Sequence, residues 1–193
     1  KSTGSYLVRG SVAREVKAAT KSGNFYTGNL SESKNVMHIP TGQIQQDVQR
    51  TATAALNSGT SPETRVEYGG HVLFGDTNAR IWDAGTTMQT QILSDGSTEK
   101  KWSVKPFKIG GKNNQFGGLI SQIQFFWHIH PNGSTPSRGD IWWVGELRKY
   151  GFTGNSFLID INNNRVIFFN EKGSLMNIKY DDFKRMGKQE DIK

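Results

Sequence analysis

Residues 119–129 form an apolar run, Leu119-Ile120-Ser121-Gln122-Ile123-Gln124-Phe125-Phe126-Trp127-His128-Ile129, which leads directly into His130-Pro131. β-Branched and aromatic residues dominate it, the composition of a mostly buried strand. From Ser137 to Tyr150 the residues Ile141, Val144, Leu147 and Arg148 then recur at helical steps, and Gly151 closes the segment. A buried strand followed so soon by an amphipathic helix is a strand-to-helix junction, and the rest of the fold has to be built around it. His128 and His130 are two apart, so on a strand both imidazoles point to one side. Asp140 falls in the first turn of the helix, and the loop Pro131 to Pro136 can fold back to bring it towards them.

Two imidazoles and a carboxylate at this junction are a ligand set for a catalytic zinc, which takes three protein ligands and keeps a fourth position for water. Zinc lowers the pKa of that water towards ~7 and polarises a carbonyl as a Lewis acid. Peptide hydrolysis also needs a general base to move the water proton to the leaving nitrogen. Glu67 is the candidate, because Val66-Glu67-Tyr68-Gly69-Gly70 opens a strand able to pair beside the histidine strand. Ser137 would donate a hydrogen bond to the tetrahedral oxyanion. A plainer reading competes at both places. Ser137-Arg138-Gly139-Asp140 ahead of a helix is also a capping box, and Glu67 by spacing alone is one strand carboxylate among others.

Elsewhere, Ile44, Val48, Ala52, Ala55 and Leu56 predict a helix from Thr41 to Asn57, ended by Ser58-Gly59-Thr60-Ser61-Pro62. Arg65 to Phe74 and Ala79 to Trp82 read as strands joined by the turn Gly75-Asp76-Thr77-Asn78. Phe157 to Ile161 and Arg165 to Phe169 read as a hairpin across Asn162-Asn163-Asn164. Residues 94–115, rich in Gly, Lys, Asn and Ser, read as an excursion from the core, and Phe183 to Lys193 as a basic tail with a short helix. The chain divides into a partly structured lead-in, residues 1–40, with one short helix, and a domain over 41–193. Trp142 and Trp143 are expected to fill core. His71 shares the Glu67 side of its strand and reads as a packed or exposed strand histidine, with a substrate-facing place the alternative; His38 is assigned no role.

Composition narrows the chemistry. The chain has no cysteine, which excludes a thiolate zinc site, a disulfide framework, a cysteine nucleophile and a cysteine-ligated zinc deaminase. Lys and Arg number 24 against 17 Asp and Glu, a net charge of +7 that raises binding to nucleic acid. The basic residues are scattered, as in Lys100-Lys101 and Lys184-Arg185, and no aromatic-interleaved basic motif accompanies them, so nucleic acid is disfavoured as a partner. No apolar run approaches the ~20 residues of a membrane span.

Glu67-Tyr68-Gly69-Gly70, then His128-Ile129-His130-Pro131, then Ser137-Arg138-Gly139-Asp140 resembles the JAB/MPN/JAMM metallopeptidase motif, a glutamate followed by H-x-H-P and S-x-x-D. An Ala-rich helix, a turn and E-Y-G-G resemble more narrowly the JAMM-like domains at the C-termini of bacterial polymorphic toxins and secreted proteins. The likeness covers about residues 41 to 175. It implies an α+β fold of the JAMM-like, cytidine-deaminase-like kind, a curved mixed β-sheet flanked by helices. It also implies Zn2+ on His128, His130 and Asp140, Glu67 as base and Ser137 as oxyanion donor. The implied substrates are peptides or proteins, ubiquitin-like or peptide-crosslinked among them, with an immunity protein as partner if the chain is a delivered or secreted toxin. Six residues separate His130 from Ser137, one fewer than the family's usual loop, which bears on whether Asp140 reaches the metal. Two readings stand against the hydrolase: a non-catalytic JAMM-like module that binds protein, and a basic toxin acting on nucleic acid.

Overall fold

The computed structural model describes residues 4–8, 36–85, 89–101 and 120–186. The central strand is β7, Ile123–His130, built from the apolar run and preceded by a short 3-10 turn at Ile120–Gln122. It lies in a six-stranded mixed sheet with β3 (Gly69–Leu73), β4 (Arg80–Ile81), β8 (Asn155–Asp160), β9 (Arg165–Asn170) and β10 (Gly173–Lys179). Its order is β10-β9-β8-β7-β3-β4. β7 pairs antiparallel with β3 and parallel with β8, and the helix between β7 and β8, Arg138–Lys149, makes the crossover that a parallel pair requires. The fold is thus α+β, with a curved multi-strand sheet and a few helices.

Alternation along β7 sorts its side chains onto two faces. Phe125, Trp127 and Ile129 join Phe157, Ile159, Val166 and Phe168 under helix α1, Gly42–Asn57, whose Ile44, Val48, Ala52 and Ala55 supply the apolar stripe. Phe183 closes the same layer from the C-terminal helix α3, Tyr180–Met186. Phe126, Leu158, Ile167 and Phe169 face the other way, against Val144 and Leu147 of helix α2, the crossover Arg138–Lys149, together with Phe152 and Trp82. Each fully buried large apolar side chain contributes about 1.5–3 kcal/mol. Slipping β7 by one residue would exchange every one of these partners.

Trp127 fixes the register. Its indole is fully buried, stacks on Phe157 and donates from Nε1 to Thr51 Oγ1 at 3.0 Å, which ties β7 to α1. Gly70 lies directly opposite, and a Cβ there would come within 2.5 Å of the Trp127 ring and 2.6 Å of the Arg80 carbonyl. With Trp127 committed to the α1 face, His128 has to face α2.

Several elements differ in extent from expectation. The strand read from Arg65 begins only at Gly69, because the preceding backbone bonds to loops instead of a ladder: Val66 N–H donates to Ser58 Oγ, and Glu67 O accepts from Gly85 N–H. β10, not anticipated, is an edge strand with a bulge between Ser174 and Met176 that blurs its alternation. A short hairpin, β5 (Gln89–Ile92) with β6 (Thr98–Lys101), begins ahead of the expected excursion and takes up its first residues. In the lead-in, β1 (Gly4–Val8) pairs antiparallel with β2 (Val36–Pro40). The helix expected within residues 1–40, the rest of the excursion from 102 to 115 and the tail from 187 lie outside the described residues.

Candidate metal centre

His128 and His130 are the last residues of β7's buried face towards α2, at 5% and 4% exposure. Asp140 comes to them from the first turn of α2. Its Oδ1 lies 3.2 Å from His128 Nε2 and its Oδ2 3.4 Å from His130 Nε2, while the two Nε2 atoms are 2.8 Å apart. A tetrahedral cation with ligands at ~2.0–2.1 Å separates them by about 3.3 Å, a spacing that both nitrogen–oxygen distances match, while the two nitrogens lie closer together than that. The shorter loop therefore does not keep Asp140 from the imidazoles. Among the described residues these three side chains form a group that could hold a metal ion.

Capping and ligation turn out to be compatible. Ser137 N–H donates to Asp140 Oδ2 at 2.7 Å and Asp140 N–H to Ser137 Oγ at 3.1 Å, the reciprocal capping box, and this leaves Oδ1 turned to His128. The cap thus aims the carboxylate. Ser137 is exposed, and its Oγ acts there as an acceptor.

His130 is oriented from behind. Its Nδ1 lies 2.8 Å from Ser134 Oγ and 3.1 Å from the Ser134 carbonyl, and Ser134 Oγ donates onward to Asn132 Oδ1 at 2.8 Å. With its own proton committed to Asn132, Oγ acts with the carbonyl as acceptor, which assigns the His130 proton to Nδ1 and leaves the Nε2 lone pair facing the centre. Ser134 was not singled out in the sequence, although a hydroxyl four residues after the second histidine, beyond Asn132-Gly133, is a readable signal.

Charge is concentrated here. Burial is the largest influence on His128 and would lower its pKa, but Asp140, by charge and hydrogen bond, and then Glu67 reverse this and raise it. Burial would likewise raise Asp140, yet His128 and His130 outweigh it and hold the carboxyl well below the usual carboxylate range. Glu67 is buried, at 8% exposure, and precedes the strand β3 that was expected to hold it. Gly69 pairs with His128, and Tyr68 O accepts Ile129 N–H at 2.8 Å, which carries the Glu67 backbone alongside His130.

The remaining candidates separate clearly. His71 is fully buried and accepts from Trp82 Nε1 at 2.9 Å through Nδ1, a packed histidine as expected. Trp143 packs against the α2-side core, but Trp142 is 59% exposed, contrary to the expectation that both fill core, because consecutive helix positions cannot share one buried stripe. The side chain of His38 lies outside the described residues. No family model, curated protein or solved structure matches the chain.

Proposed function

We propose that the chain is a zinc-dependent hydrolase of peptide or isopeptide bonds. The observation that carries this reading is the meeting of His128 Nε2, His130 Nε2 and the Asp140 carboxylate at the carboxyl end of β7, with Glu67 buried on the segment that runs beside that end. Ligand sites of sheets with parallel crossovers collect at such strand ends. The donor set suits zinc, which accepts nitrogen and oxygen together, and lacks the many oxygens that calcium or magnesium require. When bound, zinc would supply Lewis acidity and make water acidic near neutral pH.

The residues then divide the work. His130, held through Ser134, and His128, fixed by the register of Trp127, would hold the ion through their Nε2 nitrogens from a rigid strand. Asp140 adds the negative charge. Glu67 takes the proton of the attacking water and returns it to the leaving nitrogen, which makes the amine a competent leaving group. Ser137 donates to the oxygen on which negative charge develops.

Purified protein is expected to carry or take up about one zinc per chain and to cleave peptide or ubiquitin-like conjugate substrates. Glu67→Gln should keep the metal and lose hydrolysis by at least ~10²-fold, the scale of general-base catalysis. Hydrolysis undiminished in that variant would remove Glu67 from the mechanism.

A further inference from the structure

Asp160 ends β8 and is the parallel neighbour of His130, fully buried beside the ligand cluster. A buried carboxylate in that position could pass for a fourth ligand, but its lone pairs are committed elsewhere. Oδ1 accepts from the backbone N–H of Asn162 and Asn163, each at 3.2 Å, and Oδ2 from Asn163 Nδ2 and Arg165 Nε, each at 2.8 Å. Asp160 instead organises the turn that follows it, which Asn164 closes with φ 50°, in the left-handed region asparagine tolerates.

The side chains of that turn reach outward to one target. Asn162 Nδ2 donates to Pro131 O at 2.8 Å, Asn163 Nδ2 to Gly133 O at 3.3 Å, and Arg165 Nη2 to the same carbonyl at 3.2 Å. Pro131 and Gly133 lie in the loop joining His130 to Asp140. On its other side, Asn162 Oδ1 accepts from Arg65 Nη1 at 3.0 Å, two residues before Glu67. Gly133 has φ +79°, and a Cβ on it would press to 3.0 Å from Asn163 Nδ2, so loop and turn fit each other closely.

We propose that the β8–β9 turn is a positioning clamp for the metal centre: Asn162, Asn163 and Arg165 hold the carbonyls of the ligand-bearing loop, and Asn162 with Arg65 aligns the Glu67 segment to it. This rests on the metal reading above. Ligands from two elements joined by the seven-residue loop Pro131 to Ser137 need such a support, because a site loose by a fraction of an ångström loses affinity and rate.

The test uses the full chain with Zn2+ and with Co2+, whose visible absorption reports ligand geometry. In Asn162→Ala/Asn163→Ala, Zn2+ affinity is expected to fall about tenfold or more, the size of a lost supporting shell, with an altered Co2+ spectrum. Asn164→Gly, in the same turn but bonded to Asp181 and not to the loop, should match wild type in both. If the double variant does not fold, Asn162→Asp keeps an acceptor for Arg65, loses the donor to Pro131, and carries the same expectation of weakened metal binding. Wild type that binds Co2+ while these clamp variants match it in affinity and spectrum overturns the clamp alone. Wild type that takes up neither metal overturns the hydrolase reading, and the clamp with it.

Discussion

At the scale of single residues, Ser137 caps a helix in the structure and is the proposed oxyanion donor, and the two roles can be separated by experiment. Ser137→Ala removes an N-cap acceptor, expected to cost about 1 kcal/mol in urea unfolding, and also the oxyanion donor, expected to lower hydrolysis by about 10²-fold with zinc content unchanged. Loss of stability alone, with full activity, would leave Ser137 a cap and nothing more. For His71, burial, reinforced by Arg80 and opposed by Asp76, lowers the pKa from 6.5 to about 4. The unfolded chain binds that proton near pH 6.5 and the folded chain only near pH 4. The stability due to neutral His71 is therefore complete above about pH 6.5 and is lost as the pH falls towards about 4, by up to about 3 kcal/mol. His71→Phe should lose this part of the acid sensitivity; unfolding measured at pH 7 and pH 4.5 in both proteins isolates it, and equal slopes would contradict the assignment.

Among elements, β7 and α2 carry the candidate metal-holding side chains and much of the packing, which explains what could be read in advance. The apolar run, the paired imidazoles and the S-x-x-D turn are local patterns, so the strand, the helix and the meeting of two imidazoles with a carboxylate were legible from residues 119–150. The glycines of Glu67-Tyr68-Gly69-Gly70 belonged to the motif, but their physical need was hidden: a Cβ on Gly69 would meet the Trp127 carbonyl at 2.6 Å and the Trp82 ring at 2.8 Å. Gly70→Ala, pressed on the Trp127 indole, is expected to destabilise by about 1–3 kcal/mol in thermal or urea unfolding. An unchanged midpoint would mean that the two strands approach less closely than described. The contacts of Asn162, Asn163 and Arg165 with Pro131 and Gly133 could not be read there because these partners lie 30 or more positions away, and Asn162-Asn163-Asn164 alone says only that a hairpin turns there.

On the scale of the whole molecule, the sheet divides the work between its faces: α1 and α3 cover a continuous apolar layer, while α2 covers a face that becomes polar where β7 ends. Among the described residues no helix is long and apolar enough to cross a membrane. A cation bound only by the folded chain stabilises it by mass action, about 2.7 kcal/mol at a hundredfold excess over Kd. Saturating zinc should accordingly raise the melting temperature by about 5–10 °C, a shift His128→Ala should abolish. X-ray absorption at the zinc edge tests the central claim most directly. The geometry predicts one zinc per chain with two imidazole nitrogens at about 2.0–2.1 Å and oxygen completing a four-coordinate shell. An all-oxygen shell, or an imidazole signal that persists when both His128 and His130 are replaced by alanine, would contradict it.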